Sequence, residues 1–274
     1  MRRFILLSII LMFLVQMGCV TFRTSRYFAP PDIIENVADH IVSIAVYYYM
    51  PEEEYQIRLR QFSRVPRVEI DTDQTYKGER IKCIAYIGSG TVGLNNHIIT
   101  VRHLFDHDQN TYKRVIWVFK EDLDHPVNAD LVAISTSNDD SDDYAVIKAV
   151  EDLGLKGIRI AKDEPKRGEK VMFGCSVGGS AFFLRFGWMS HYKWYFKRGY
   201  DGQLHLSKWV EFHYNTTYPS GPGDSGAGIF NINGELVGVM YLGINVYEEM
   251  YCFANPLQML KDFLDAHKLL WLAD

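Results

Sequence analysis

The sequence has little positive charge and few cysteines, and both shortages exclude classes of protein. Its formal net charge is −5 and no long run of Lys and Arg occurs, so a nucleic-acid partner is not expected. Only four cysteines are present, and no pair has the spacing of a zinc site or of a redox C-x-x-C motif. We therefore expect no bound metal, and nothing in the sequence implies an organic cofactor.

Three of the cysteines lie far apart in separate apolar segments of the chain. Cys83, Cys175 and Cys252 are an odd number once Cys19, near the amino end, is set aside. Free Cys behaves as a small hydrophobic residue, so we expect these three to be buried free thiols. One disulfide among them stays open as an alternative.

Few helical patterns lie between the predicted strands, and internal repeats and low-complexity tracts are also missing. Hydrophobic residues make up 47% of the 274 residues, which is enough for a substantial core. Segments rich in β-branched and aromatic residues recur through two halves of similar size, and these predict an all-β protein built as two barrels or a sandwich. A parallel α/β fold is disfavoured because the helical crossovers that it needs are absent.

The strand pattern is interrupted at three places. Residues 33–39 predict a short helix, and residues 255–273 carry apolar residues at the spacing of a terminal helix. Residues 50–78 mix charged and apolar residues and predict a surface excursion or a long hairpin. Asn233-Gly234 predicts a tight hairpin turn. The predicted strands are 41–49, 80–92, 97–101, 115–120, 129–135, 144–148, 169–174, 181–190, 204–213, 227–231 and 235–242.

The amino end has the pattern of an export signal. Arg2 and Arg3 precede an apolar run from Phe4 to Val15, which is followed by Gln16-Met17-Gly18-Cys19. This end resembles the lipobox of bacterial lipoproteins, which predicts lipidation of Cys19, although Gln16 departs from the usual residue. An uncleaved anchor extending to about Phe22 and an ordinary cleaved signal are the alternatives. All three predict an extracytoplasmic protein attached to, or exported across, a membrane, with residues 1–19 as signal or anchor and residues 20–32 as a tether.

Three residues after this amino-terminal segment form a candidate catalytic set for acyl transfer. Ser225 lies in the glycine-rich stretch GPGDSGAG, where close backbone N–H groups could stabilise an oxyanion. His103 follows the predicted strand 97–101, and Asp143 lies between an acidic loop and another apolar strand. A hydroxyl, an imidazole and a carboxylate are the three groups of a nucleophile, its general base and the base's orienting acid.

The motifs around these residues resemble those of trypsin-like serine proteases, and most nearly the bacterial Deg, or high-temperature-requirement, branch. Gly88-Ser89-Gly90 with ITVRH ending at His103, DYAVIK beginning at Asp143, PGDSG around Ser225 and FANP at residues 253–256 occur in that family's order. The likeness covers residues 33–274. It implies two antiparallel β-barrels of the chymotrypsin type, with the boundary between them at about residues 150–168, and a C-terminal helix. We expect no PDZ module.

The resemblance also implies roles for individual residues. His103, Asp143 and Ser225 would be the catalytic triad of a serine endopeptidase, with the N–H groups of Gly223 and Ser225 as the oxyanion hole. The substrate pocket would be lined by Tyr218, Pro219, Tyr241 and Leu242. No acidic residue occupies the position that trypsin-type enzymes use, so we expect cleavage of protein or peptide substrates after small or medium apolar residues.

One residue of the nucleophile loop departs from the Deg pattern. Asp224 stands where that branch usually has Asn. Trypsin-type enzymes have Asp there and pair it with a newly cut amino terminus, and no matching activation sequence is visible here. We expect Asp224 to pair with an internal cation or with backbone donors.

The order of His103, Asp143 and Ser225 along the chain disfavours an α/β-hydrolase. An α/β-hydrolase has G-x-S-x-G and its acid and histidine after the serine, whereas here residue 227 is Ala and both partners precede Ser225. A non-proteolytic binding or scaffold protein on the same fold is the remaining alternative. The oligomeric state is left open.

Overall fold

The computed structural model describes residues 29–61, 67–76, 79–106, 113–136, 142–177, 181–198, 204–214, 223–246 and 249–273. Antiparallel strands dominate, and they form two sheets joined by a linker, residues 150–169. The helices are α1 (Pro31–Asp39), α2 (Glu52–Gln61) and α3 (Leu257–Ala266), and short 3₁₀ turns span Leu94–Asn96, Arg102–Leu104 and Leu270–Ala273. The strands are β1 (Ile41–Pro51), β2 (Arg67–Tyr76), β3 (Glu79–Val92), β4 (His97–Thr100), β5 (Lys113–Phe119), β6 (Val127–Ile134), β7 (Ala145–Ala149), β8 (Lys170–Val177), β9 (Ala181–Arg198), β10 (Leu204–Tyr214), β11 (Gly228–Asn231), β12 (Leu236–Val246) and β13 (Glu249–Ala254).

The first sheet contains seven strands in the order β1-β5-β6-β7-β4-β3-β2. It curls back on itself because β1 pairs with β3 along one edge and with β5 along the other. The side chains of β1 from Ile41 to Val46 are all buried, as its richness in β-branched and other small apolar residues predicts. This sheet carries His103 and Asp143.

The second sheet is a closed barrel in the order β10-β13-β12-β11-β8-β9. The predicted turn at Asn233-Gly234 connects β11 to β12, and Gly234 has a φ of 78° there. Ser225 lies in the loop before β11. The prediction of two antiparallel β-barrels is confirmed.

The linker between the sheets is hydrogen-bonded to both of them. The Ile158 N–H donates to the Val92 carbonyl of β3 at 3.1 Å, and the Ala161 N–H donates to the Leu236 carbonyl of β12 at 2.9 Å. Ile158, Ile160 and Ala161 are buried. The linker therefore contributes to the core instead of forming a free connection.

The predicted terminal helix is present as α3 and packs on the core. Its residues Leu257, Leu260, Phe263 and Leu264 are buried. The Phe263 ring stacks on Tyr144, the residue after Asp143, with ring centroids 5.6 Å apart. The end of the chain thus returns to the first sheet next to a candidate site residue.

The structure contains three elements that the sequence pattern did not resolve. The segment predicted as an excursion or long hairpin contains helix α2 and strand β2, and β2 forms the hairpin by pairing with β3. Strand β13, which pairs with β10 and β12, was not predicted. Charged residues in the segment that forms α2 and β2, and the pair Glu248-Glu249 at the start of β13, obscure the apolar alternation that marks a strand.

No helix within the described ranges is long and apolar enough to cross a bilayer. The predicted signal or anchor, its Cys19 and most of the tether lie outside the described residues.

Candidate active site

His103 and Asp143 come together because the strands next to them are paired. His103 lies in the 3₁₀ turn that follows β4, and Asp143 lies two residues before β7. The antiparallel register of these strands aligns Thr100 with Ala145. The residues just beyond this pair therefore meet at the same end of the sheet.

Two hydrogen bonds join the residues directly. The His103 backbone N–H donates to Asp143 Oδ1 at 2.9 Å, and the His103 ring Nδ1 lies 2.7 Å from Asp143 Oδ2. Asp143 is 1% exposed, whereas 29% of the His103 side chain is exposed. An ionised carboxylate only accepts hydrogen bonds, so Nδ1 carries the proton and Nε2 is left as the basic nitrogen.

The loop that carries Ser225 is held in a tight conformation. Gly223 and Gly226 have φ values of 103° and 88°. The Ala227 N–H donates to the Asp224 carbonyl at 2.9 Å, and the Gly226 N–H donates to the Met240 carbonyl at 2.8 Å. Ser225 is partly exposed at the turn.

Ser89 of β3 connects this loop to the first sheet. Its N–H donates to the Ser225 carbonyl at 2.7 Å, and its hydroxyl donates to the Gly223 carbonyl at 2.6 Å. The Thr100 hydroxyl donates to the Ser89 carbonyl at 2.7 Å, three residues before His103. Ser89 thus joins the nucleophile loop to the strand that ends at the histidine.

Gly88 shows how closely the two segments approach. A Cβ on this residue would lie 2.4 Å from Cδ1 of Leu104 and 2.9 Å from the Ser225 carbonyl oxygen. Both contacts are too short for any side chain, so the absence of a side chain at residue 88 lets the histidine turn and the serine loop lie side by side.

Of the four residues predicted to line the substrate pocket, Tyr241 is placed at the site. Its ring packs edge-on against the His103 ring, with centroids 5.9 Å apart. Leu242 belongs to the backbone of β12. Tyr218 and Pro219 lie outside the described residues. The composition of the pocket therefore stays a prediction.

Asp224 pairs with an internal cation, as predicted. Arg185 Nη1 of β9 donates to Asp224 Oδ2 at 2.8 Å, and the two side chains are 7% and 2% exposed. Burial, together with the negative charge of Asp224, raises the pKa of the Cys175 thiol to about 12. The thiol is therefore neutral.

Sequence reasoning missed the roles of Ser89 and Arg185. Ser89 is the middle residue of Gly88-Ser89-Gly90, a motif that carries the family resemblance but does not by itself indicate a contact with the Ser225 loop. Arg185 is a single charge inside the apolar segment AFFLRFGWM, and a charge in such a strand indicates a buried partner.

The three remaining cysteines are free and buried, as expected. Cys83 belongs to β3, whereas Cys175 and Cys252 belong to the second barrel. Burial raises the pKa of the Cys83 thiol to about 11.

Comparison with known families places the chain among trypsin-like proteases. The model of the trypsin-like peptidase domain matches residues 57–239. This chain belongs to that family.

Solved structures with the same fold include three of the Rv3671c protease of M. tuberculosis. Its active form is 15% identical, with 87% of each chain covered and a TM-score of 0.59. Its inactive form is 15% identical, with 87% of this chain and 96% of that chain covered and a TM-score of 0.56. An inactive serine-to-alanine mutant is 14% identical, with 88% and 94% covered and a TM-score of 0.58. None of the curated proteins compared with the chain matches it.

Proposed function

We propose that this protein is a serine endopeptidase in which His103, Asp143 and Ser225 form the catalytic triad. The observation that carries the proposal is the pair of hydrogen bonds between His103 and the buried Asp143 carboxylate, at 2.9 and 2.7 Å. The Ser89 and Gly88 contacts, which bring the Ser225 loop against the histidine turn, give it further support. Membership of the trypsin-like peptidase family agrees with both.

In this mechanism Ser225 Oγ attacks the scissile carbonyl carbon while His103 Nε2 takes its proton. The Asp143 carboxylate stabilises the resulting imidazolium and keeps the proton of Nδ1 in place. His103 then protonates the leaving amine, and an acyl-enzyme forms on Ser225. Water, deprotonated by His103, hydrolyses this ester and regenerates the enzyme.

The N–H groups of Gly223 and Ser225 would stabilise the tetrahedral oxyanion. Gly223 has a φ of 103°, a conformation that turns the peptide units on either side of Gly223 and that favours glycine. Each such donor contributes about 10²–10³ to the rate in enzymes where one has been removed.

The substrate is proposed to be an extracytoplasmic protein, cut after small or medium apolar residues. The basic and apolar pattern before Cys19 supports export and attachment to a membrane as a lipoprotein. Tyr241, which packs against His103, would contribute apolar surface next to the scissile bond. Preferential cleavage after Arg or Lys would contradict the proposed specificity.

The proposal is tested by labelling with a fluorophosphonate, which phosphonylates an activated serine with loss of fluoride. We expect the full chain to be labelled at Ser225, the Ser225→Ala variant to remain unlabelled, and Asp143→Asn to react about 10⁴-fold more slowly because it favours the wrong histidine tautomer. A cleavage profile on a peptide library, with Ser225→Ala as blank, then defines specificity. A folded chain that neither reacts nor cleaves would instead be a binding protein on a protease fold.

A further inference from the structure

The residue before the proposed nucleophile has a charge partner within its own barrel. Asp224 is in the loop between Gly223 and Ser225, and Arg185 belongs to β9 of the second barrel. Their side chains are joined at 2.8 Å and are almost fully buried. A buried carboxylate needs a partner of this kind, and a guanidinium keeps its positive charge at every pH of interest.

The position of Arg185 is fixed by the barrel itself. Arg185 is paired across the sheet with Phe173 of β8, and its neighbours along β9 are paired with β8 from Lys170 to Val177. Strands β8 and β9 both belong to the closed barrel. The cation is therefore in place once this barrel has folded.

Anchoring Asp224 constrains the backbone on both sides of it. Its peptide bond to Ser225 carries one of the two proposed oxyanion N–H groups, and Gly223 on its other side carries the second. Its own carbonyl accepts from the Ala227 N–H at 2.9 Å, which closes the turn around Ser225. A side chain held at 2.8 Å by Arg185 thus limits rotation of the peptide unit that bears the Ser225 N–H, and it restrains Gly223 through the peptide unit that joins Gly223 to Asp224.

We propose that Arg185 is a positioning residue that sets the nucleophile loop through Asp224, so that the chain is reactive without any activating cut after Cys19. This inference rests on the proposed function, because the loop matters only if Ser225 is the nucleophile. Arg185 does not touch the substrate. It acts by orienting Asp224 and, through it, the backbone N–H groups of Gly223 and Ser225.

The test measures the rate of fluorophosphonate labelling of the chain in detergent, and mass spectrometry confirms that it is uncut after Cys19. We compare the unsubstituted chain with Arg185→Lys, Arg185→Met and the Arg185→Met/Asp224→Asn double variant. The exposed Arg159 gives the matched control Arg159→Met. The melting temperature of each variant is recorded so that every rate refers to folded protein.

We expect the uncut chain to label and Arg159→Met to label at the same rate. Arg185→Met should label at least about 100-fold more slowly per folded molecule, which is the loss seen when one oxyanion donor is removed. Arg185→Lys should recover part of the rate because it restores the charge. The double variant should regain thermal stability, since no charge is left buried alone, but it should not regain the rate.

Two results would overturn the inference while leaving the proposed function intact. One is labelling of folded Arg185→Met at the rate of the unsubstituted chain, which would make the ion pair purely structural. The other is labelling that appears only after the amino end has been cut. If neither the uncut nor the cut chain labels at Ser225, the proposed function itself is wrong and the inference fails with it.

Discussion

Single residues decide whether the nucleophile loop can form. Gly226 has a φ of 88°, and a Cβ on it would lie 2.1 Å from the Ser89 carbonyl oxygen and 2.4 Å from Thr100 Oγ1. Both neighbours belong to the strands that lead to the histidine turn. The residue after the proposed nucleophile therefore contacts the first sheet directly, and a side chain there would push the two apart.

Gly226→Ala is expected to lose fluorophosphonate labelling by at least about 100-fold and to lower the melting temperature. The positive φ alone costs about 1–3 kcal/mol, and the clash with Ser89 adds displacement of the loop. Gly168→Ala is the matched control, because Gly168 has a φ of 80° with no atom within 4 Å of the added Cβ. Equal labelling of the two variants would show that the tight contact with Ser89 is unnecessary.

The buried thiols give a second prediction at this scale. The pKa of Cys83 is raised to about 11 and that of Cys175 to about 12, so their thiolate fraction at pH 8 is at most about one in a thousand. An ordinary thiol with a pKa of about 8.5 is roughly a quarter ionised at that pH. Because a raised pKa favours the neutral thiol, their reactivity should stay low until the pH approaches these values.

A Cys19→Ser chain should therefore react slowly with a thiol reagent at pH 8 and should reveal three thiols in denaturant. The count follows from the three free cysteines within the described residues. Fast reaction of a native thiol, followed by mass spectrometry to locate it, would contradict the burial of that cysteine.

At the scale of elements, helix α3 supports the region of the proposed triad acid, Asp143. Its Phe263 ring stacks on Tyr144, which directly follows Asp143 and is 1% exposed. Tyr144 in turn precedes β7, the strand whose register with β4 aligns Asp143 with His103. The last helix of the chain thus stabilises a residue more than one hundred positions earlier.

Phe263→Ala is expected to destabilise the protein by about 3–5 kcal/mol, the usual cost of removing a buried aromatic ring. The labelling rate should fall as well, because the cavity beside Tyr144 loosens the Asp143 backbone. Phe263→Leu, which keeps most of the apolar volume, should restore much of both. Denaturant unfolding followed by labelling of the folded protein measures the two effects separately.

At the scale of the whole molecule, the site exists only where two sheets meet. His103 and Asp143 come from the first sheet and Ser225 from the second, and the linker fixes these sheets through Ile158 and Ala161. Gly157 belongs to this linker, and a Cβ on it would lie 2.5 Å from backbone atoms of Gly93 and Leu94. The linker can approach the first sheet only because residue 157 lacks a side chain.

Gly157→Ala should therefore lower both the melting temperature and the labelling rate, although residue 157 is outside the site. Gly154→Ala provides the control within the same linker, because Gly154 has a φ of 71° and open space around its Cβ position. Gly154→Ala should lose only the smaller free energy that a left-handed backbone costs a residue with a Cβ. If the two variants behaved alike, packing of the linker against the first sheet would not matter for the site.

Much of this arrangement was predictable from local sequence. Alternating and β-branched segments predicted most strands, Asn233-Gly234 predicted the turn between β11 and β12, and the order of His103, Asp143 and Ser225 predicted the family. These features are local because side-chain periodicity, turn chemistry and short motifs depend on neighbours in the chain. Strand β13 and helix α2 escaped prediction because their charged residues mask the periodicity.

The contacts between distant segments were decided only by the tertiary structure. No pattern within the sequence indicates that Ser89 donates to Ser225, or that Arg185 is the cation that Asp224 requires, since 39 residues separate that pair along the chain. Burial makes these contacts obligatory, because a polar group removed from water must find a partner inside the fold. Sequence alone therefore determined which residues are proposed to carry the chemistry, because short motifs identify them. The packing of the two barrels decided which other residues hold them in place, because those contacts join segments that are distant in the chain.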